Sequence, residues 1–165
     1  MRPHMLRRLP LTAIIVLAAT GAGGLNLAGR ATVIEGDVIE IHGQRIQLFG
    51  IDAPEAGQHC EAADGRAYRC GQEAARALAA HIGQQTVACE PRDTDRYGRI
   101  AAVCRLGGED LNAWLVSQGW ALAYRHSSTD YVREETAARA AKRGLWRGRF
   151  VSPWVWRRVR ETPLA

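Results

Sequence analysis

Three short runs rich in β-branched residues follow one another between residues 31 and 49, and they restrict the fold more than any other feature of the chain. Turn-forming residues separate the runs, which is typical of strands joined in sequence by tight turns. The sequence therefore predicts three consecutive strands at the start of the folded part. The runs are Ala31-Thr32-Val33-Ile34, Val38-Ile39-Glu40-Ile41 and Arg45-Ile46-Gln47-Leu48-Phe49.

The third run leads directly into a tight acidic turn, Gly50-Ile51-Asp52-Ala53-Pro54-Glu55. Its two carboxylates lie three residues apart at the end of an apolar strand. Most such turns are only solvated strand ends, and a short motif is weak evidence for a functional site by itself. The turn becomes a candidate site only through its partners elsewhere in the chain.

Two more β-runs and three helical patterns follow this turn. Together they predict an α+β, mainly β fold: a five-stranded, OB-fold-like Greek-key barrel with about three helices, preceded by a signal peptide. The additional strands are Thr86-Val87-Ala88-Cys89 and Arg99-Ile100-Ala101-Ala102-Val103-Cys104, and the helices run from Gly71 to Gly83, from Asp110 onward and from near Asp130 to Gly144.

Residues 1–28 have the pattern of a secretory signal peptide, in which arginines precede an apolar stretch and small residues follow it. The apolar run is shorter than the roughly 20 residues of a membrane-spanning helix. We therefore expect a secreted or periplasmic protein with one domain over residues 29–146 and a C-terminal extension over residues 147–165. No cleavage site is clean, so an uncleaved N-terminal anchor stays open as the alternative.

The formal net charge of +5 is unevenly distributed. Residues 29–141 are mildly acidic, whereas the residues from 142 onward carry seven basic side chains and one acidic one. A basic arm of this kind suits an anionic polymer or surface as partner, or serves only to keep the protein soluble. The basic residues are Lys142, Arg143, Arg147, Arg149, Arg157, Arg158 and Arg160.

Aromatic residues in the same C-terminal segment argue against disorder, because they are too apolar to remain in water. We expect them to cover a seam of the core, so that the extension packs on the domain. The alternative is that, interleaved with arginines, they offer stacking and phosphate contacts to single-stranded nucleic acid. These aromatic residues are Trp146, Phe150, Trp154 and Trp156.

Cys60, Cys70, Cys89 and Cys104 give an even count in a chain with an export signal, which favours two disulfides. Four cysteines allow three pairings. We favour Cys60 with Cys70, which closes a short polar loop, and Cys89 with Cys104, which lie in two strand-like runs. A zinc site is disfavoured because the sequence has no Cys-x-x-Cys pair.

Three motifs, in this order and at these spacings, resemble the staphylococcal nuclease (thermonuclease) family. They are Glu35-Gly36-Asp37, the turn Gly50–Glu55 and Asp95-Arg96-Tyr97-Gly98-Arg99. The resemblance covers the chain from about Ala31 to Trp146 and leaves the C-terminal tail outside. It implies the predicted barrel and a site that cleaves phosphodiester bonds.

The resemblance also implies a calcium ion, Ca2+, as cofactor. Asp37 and Asp52 would supply two carboxylates to one ion, and the backbone carbonyl of Ala53 would be a third ligand. Oxygen ligands of this kind hold hard cations, which offset the charge of a phosphate.

Further roles are implied at the reacting phosphate and the nucleotide. Glu55 matches the general base of the family, and Arg99 matches an arginine that clamps the phosphate. Tyr97 and Tyr124 resemble tyrosines of the nucleotide site. For Tyr124, a core tyrosine with a satisfied hydroxyl is the equally weighted alternative.

Gln47 departs from the family pattern, which calls for a second phosphate-binding arginine at this position. An amide donates a hydrogen bond but brings no charge, and losing one preorganised donor commonly costs ~10²- to 10³-fold in rate. Arg45 is a candidate substitute, because it lies two residues away on the same strand face, roughly 6.6 Å apart.

The sequence thus predicts an exported, calcium-dependent, sugar-non-specific nuclease, and the family resemblance implies that it leaves 3′-phosphate ends. We expect a monomer that acts on DNA and RNA and prefers single-stranded or denatured substrate. Because of Gln47, the alternative is a weakened or inactive nuclease-like domain that binds nucleic acid or another partner. A third interpretation, an envelope-anchored protein whose basic tail contacts anionic lipid, also stays open.

Overall fold

The computed structural model describes residues 27–161, which form a mainly β structure with four α-helices. The helices are α1 (Cys70–Ile82), α2 (Leu111–Ser117), α3 (Val132–Ala140) and α4 (Pro153–Glu161), and a 3-10 turn spans Gly144–Arg147. The strands are β1 (Ala28–Arg30), β2 (Thr32–Glu35), β3 (Val38–Ile41), β4 (Gln44–Leu48), β5 (Ile51–Asp52), β6 (Cys60–Glu61), β7 (Ala67–Tyr68), β8 (Thr86–Thr94), β9 (Ile100–Leu106), β10 (Glu109–Asp110) and β11 (Leu122–Ala123).

The main sheet has the order β1-β8-β9-β4-β3-β2, and β10 pairs with β9 outside this path. β4 and β9 are parallel, whereas the other neighbours in the sheet are antiparallel. The free edge at β1 folds back toward the far end of β3, where His42 Nε2 lies 3.0 Å from the carbonyl oxygen of Ala28. The sheet is therefore a nearly closed barrel, as the predicted OB-like fold requires.

The predicted three-strand meander is confirmed by β2, β3 and β4. Ile39 pairs with Ile46 across β3 and β4, and both side chains are completely buried. Glu40 and Arg45, on the alternate positions, pair outside the core. The strict alternation fixes the register, because a shift by one residue would expose the isoleucines.

Two of the predicted helices are confirmed closely. The apolar face of α1 is buried, and Gly83 follows its last residue with a positive φ of 56°. The side chain of Asp110 accepts a hydrogen bond from the backbone N–H of Ala113 at 3.0 Å and so caps α2.

The other helical predictions need correction. α3 ends at Ala140 and does not continue to Gly144, because Lys142 and Gly144 adopt positive φ angles of 50° and 52° that a helix cannot contain. The expected number of about three helices is also too low, since α4 is a fourth within residues 27–161. Its signal is Pro153, which occupies the first helical position.

Both predicted disulfides are present, Cys60–Cys70 and Cys89–Cys104. The second joins directly opposed residues of β8 and β9. The first belongs to a small apolar cluster separate from the barrel core, which contains Leu122, Leu145, Tyr68, Trp146, Phe150 and Trp154. Tryptophans of the C-terminal segment therefore pack on the domain around this disulfide.

The signal peptide falls outside the described residues, apart from its last two positions. Within residues 27–161, no helix combines the length and the apolar character needed to cross a membrane.

Candidate active site

Asp37 and Asp52 meet at one end of the barrel. Asp37 lies in the turn between β2 and β3, and Asp52 ends β5, which pairs with β11. The backbone N–H of Ala53 donates a hydrogen bond of 2.8 Å to Asp37 Oδ2, which ties the two turns together. Gly36 allows this approach, because a Cβ there would lie 2.8 Å from the Cβ of Ala53.

Both aspartates are nearly inaccessible, with 5% of each residue exposed. Burial raises the pKa of Asp37 to about 7, and neighbouring Asp52 adds to this rise, whereas hydrogen bonds from Ala53 N–H and the Gln47 side chain oppose it. Within residues 27–161 no basic side chain forms an ion pair with Asp37. Asp37 is therefore a buried acid without a cationic partner.

Asp52 does have a cationic partner, and it comes from α4. Arg157 Nη1 donates to Asp52 Oδ1 at 2.9 Å, and Nη2 donates to Oδ2 at 2.8 Å. Arg157 Nη1 also donates to Glu55 Oε1 at 2.6 Å. Burial raises the pKa of Asp52 and the pair with Arg157 opposes this, while the hydrogen bond to Asp52 raises the pKa of Arg157 further.

Glu55 is held in place by the loop that carries it. The side-chain oxygen of the completely buried Gln58 accepts a hydrogen bond from the Glu55 backbone N–H at 3.3 Å. The backbone N–H of Gln58 donates to the Glu55 carbonyl at 2.8 Å. The first turn of α1 lies directly against this carbonyl, since a Cβ on Gly71 would be 1.9 Å from it. Only glycine permits this contact.

Gln47 lies in the same cleft, but its side chain is engaged with Asp37. Arg45, the candidate substitute, lies at the neighbouring outward position of β4, where its side chain is 72% exposed and 4.0 Å from Glu40. It does not line the cleft. The structure thus places Gln47 with the aspartates and leaves Arg45 outside this group.

Arg99 reaches the cleft from the hairpin between β8 and β9. Its Nε donates to Asp95 Oδ2 at 2.6 Å, and Asp95 Oδ1 accepts the backbone N–H groups of Tyr97 and Arg99. These hydrogen bonds lower the pKa of Asp95, so that it stays ionised and organises the loop. Tyr97 itself is 70% exposed, and its ring lies near the guanidinium groups of Arg96 and Arg99.

Tyr124 also lines the cleft. Its backbone N–H donates to the Gly50 carbonyl at 2.9 Å, and its ring lies 5.7 Å from the ring of Trp154. Tyr124 therefore connects the acidic turn with the C-terminal segment.

Most of the predicted site side chains line one open cleft of about 520 Å³, whereas Tyr97 lies outside its lining: the members are Asp37, Gln47, Asp52, Glu55, Arg99 and Tyr124. Three charged members of the lining were not assigned to this site from the sequence: Glu35, Asp93 and Arg157. Burial raises the pKa of Glu35, and Glu55 adds to the rise. The sequence marks Arg157 only as one of several tail arginines suited to phosphate contacts, because it does not show where α4 docks. The charged side chains in the lining are Glu35, Asp37, Asp52, Glu55, Asp93, Arg99 and Arg157.

The oxygen atoms at this end of the barrel fit a hard divalent cation. Asp37 is buried without a positive partner, and a bound cation would supply the charge it lacks. Among the described residues, no three His, Cys, Asp or Glu side chains form a metal-binding group. A cation bound by Asp37 and Asp52 would therefore need backbone oxygen, such as the carbonyl of Ala53, and water to complete its coordination.

Comparison with known proteins places the chain in one family. Residues 45–148 match the family described as "Staphylococcal nuclease homologue". The chain is 39% identical to the succinoglycan biosynthesis protein ExoI of Rhizobium meliloti (strain 1021), over 83% of this chain and 73% of that protein. It is 32% identical to protein ParB of Escherichia coli, over 93% and 91% of the two chains.

A micrococcal nuclease of Shigella flexneri is 29% identical, over 90% of this chain and 91% of that protein. The matched residues 45–148 include the acidic turn, Arg99 and Tyr124, whereas Arg157 lies beyond them. The chain belongs to the staphylococcal nuclease homologue family and is a nuclease-type hydrolase.

Proposed function

We propose that this protein is a calcium-dependent, sugar-non-specific nuclease that hydrolyses DNA and RNA and leaves 3′-phosphate ends. The observation that carries the proposal is the convergence of two buried aspartates, Glu55 and Arg99 on one open cleft. Carboxylates suit a hard cation and a water-activating base, and arginine suits a phosphate. Membership of the staphylococcal nuclease homologue family supports a nuclease activity.

Asp37 and Asp52 would hold the calcium ion, with the Ala53 carbonyl as a third ligand. When bound, calcium would offset the negative charge of the phosphate and of the transition state. Binding requires Asp37 to be ionised, and its pKa of about 7 in the metal-free protein means that protons compete with the cation at neutral and acidic pH.

Glu55 would act as the general base. Its side chain lies at the cleft, and the buried support from Gln58 fixes the loop that carries it. One carboxylate oxygen would accept the proton of the attacking water, while the guanidinium of Arg99 binds phosphate oxygens and stabilises the charge that develops on them. To do so, Arg99 would exchange its exposed pair with Asp95 for the phosphate.

An extended, single-stranded or denatured strand is the substrate that we propose. Tyr124 lines the open cleft, and the exposed Tyr97 lies next to Arg99 of the lining, so both rings offer aromatic surfaces for unstacked bases. We further propose that the protein is exported and acts as a monomer. The two disulfides support export, because such bonds persist in oxidising compartments.

Digestion of denatured DNA and of RNA by the purified, oxidised protein tests the proposal, in calcium and in excess chelator. We expect cutting only in calcium, and we expect Glu55→Gln to lower kcat ~10²- to 10⁴-fold. Glu73→Gln is the matched control, because Glu73 is a half-exposed residue of α1 whose side chain pairs with Arg76 at the surface.

End-group analysis of the products checks the 3′-phosphate. Absence of calcium-dependent cutting, together with retained binding of the nucleic acid, would overturn the enzyme proposal in favour of a binding domain.

A further inference from the structure

We propose that Arg157 is a second phosphate-binding arginine of the cleft, delivered by α4 from outside the matched family region. The inference rests on the proposed nuclease function and adds a residue to its site. Five acidic side chains and two arginines line the cleft. A phosphate that enters it therefore meets strong negative charge, and Arg99 and Arg157 are the cations of the lining that attract it.

The hydrogen-bonding pattern of Arg157 leaves one edge of its guanidinium available. The group has five N–H donors in a fixed planar arrangement. Nη1 uses both of its hydrogens, one on Asp52 and one on Glu55, and Nη2 uses one on Asp52. The remaining Nη2 hydrogen and Nε–H lie along the same edge, and no described residue accepts them.

This free edge has the geometry that two phosphate oxygens require. Two parallel N–H donors on one edge of an arginine form a fork that matches a pair of phosphate oxygens. The side chain is 37% exposed and belongs to the lining of the cleft, and no described residue accepts a hydrogen bond from the fork. One edge of the guanidinium thus holds the acids, and the other is free for the substrate.

Occupation of Asp52 by Arg157 is compatible with a cation at the same carboxylate. An ionised carboxylate has about four acceptor sites. Arg157 uses one on each oxygen of Asp52. The other acceptor sites remain for a metal ion, so Arg157 and the cation are not obliged to exclude each other.

The segment that carries Arg157 is built into the domain. Glu61 and Arg149 pair as an isolated β-bridge, with backbone hydrogen bonds of 2.8 and 2.9 Å. The buried Gln58, which holds the Glu55 loop, also donates to the Val151 carbonyl at 2.7 Å. Trp154 packs in the cluster around the Cys60 disulfide. The arginine is therefore positioned by the fold, as a preorganised phosphate ligand has to be.

Position 47 offers no equivalent charge. The side chain of Gln47 is neutral and engaged with Asp37, whereas Arg157 contacts Asp52. Arg157 restores the second guanidinium from the Asp52 side. The second positive charge expected at position 47 is then present at another position of the site and is not missing.

The test compares initial rates of calcium-dependent cutting by Arg157→Ala, Arg157→Lys and the doubly changed Gln47→Arg/Arg157→Ala protein. We expect Arg157→Ala to lower kcat/KM by ~10²- to 10³-fold, as for the loss of a preorganised donor. Lysine keeps the charge but not the fork, so it should recover only part of the rate. Arginine at position 47 should recover at least tenfold. Arg76→Ala, which removes an exposed arginine of α1, is the control and should cut normally.

Binding of a cleavage-resistant phosphorothioate oligonucleotide in calcium is measured in parallel and separates the two proposals. If the wild-type protein does not cut but Arg157→Ala still weakens oligonucleotide binding at least tenfold relative to Arg76→Ala, the nuclease proposal fails and the phosphate-binding role stands. If Arg157→Ala cuts and binds as well as the wild type, or cuts faster because Arg157 blocks the site, the role of Arg157 is overturned.

Discussion

The two aspartates of the cleft have opposite electrostatic environments. Asp37 belongs to the barrel half of the site. Within residues 27–161, its carboxylate oxygens accept hydrogen bonds from neutral donors, the Ala53 N–H and the Gln47 side chain. Asp52 faces the C-terminal half, where Arg157 binds both of its oxygens. Each residue is only 5% exposed, so the two aspartates differ in their partners and not in solvent exposure.

This contrast shows how the site divides its work. The barrel half is short of positive charge and suits a cation, whereas the C-terminal half brings its own fixed cation beside the base. Gln58 links the halves, because it contacts both the Glu55 loop and the approach to α4. Perturbing one half at a time therefore tests whether metal binding and substrate binding are separable.

The barrel half gives the largest expected effect on stability. In the calcium-free protein Asp37 keeps its proton up to about pH 7, whereas the unfolded chain loses it near pH 3.8. This stabilising contribution is complete below pH 3.8 and is lost as the pH rises through 7, and it is on the order of 4 kcal/mol at about 1.4 kcal/mol per pKa unit. Asp37→Asn should remove this loss and raise the Tm at pH 8 in chelator.

Thermal unfolding between pH 4 and 8 in chelator checks this prediction, with Asp64→Asn as an exposed control that should keep the wild-type profile. Excess calcium should stabilise the wild type more at pH 8 than at pH 5, because binding requires the ionised carboxylate. An Asp37→Asn profile that falls as steeply as the wild type would assign the effect to Asp52 and Glu35, whose pKa values are also raised.

The sequence predicts the barrel half of the site, but it does not predict the contribution of the C-terminal half. Alternation in β3 and β4 fixes the register of the meander, and this register brings the turns that carry Asp37 and Asp52 to one end of the barrel. These are local patterns with a short range. The role of Arg157 depends on how α4 docks, and Arg157 lies more than 100 residues from Asp52 along the chain. The docking uses a buried glutamine and a β-bridge, and no periodic pattern in the sequence predicts either contact.

Removing each disulfide in turn compares the C-terminal half with the barrel half, and the expected effect is of intermediate size. Cys60–Cys70 lies beneath the C-terminal segment, and Cys89–Cys104 joins two barrel strands. Their sequence separations of 10 and 15 are similar, so we expect each double Cys→Ala variant to lose about 2–4 kcal/mol of stability. Only loss of Cys60–Cys70 should also lower kcat/KM at 25 °C, because it loosens the support of Arg157. Equal loss of activity in both variants would contradict this.

The smallest effect compares two buried amides, Gln58 between the two halves and Asn112 within the barrel half. Gln58 joins the Glu55 loop to Val151 through hydrogen bonds. The hydrogen bonds of the Asn112 side chain lie within the barrel half: it accepts from the Cys104 N–H and donates to the carbonyls of Phe49 and Ala102. Each Ala variant leaves buried polar groups unpaired and should cost ~1–3 kcal/mol. Denaturant unfolding should therefore rank the two alike, while only Gln58→Ala lowers kcat/KM and weakens oligonucleotide binding. If Asn112→Ala lowers both as much, the cleft responds to barrel stability in general, and α4 has no separate part in holding the substrate.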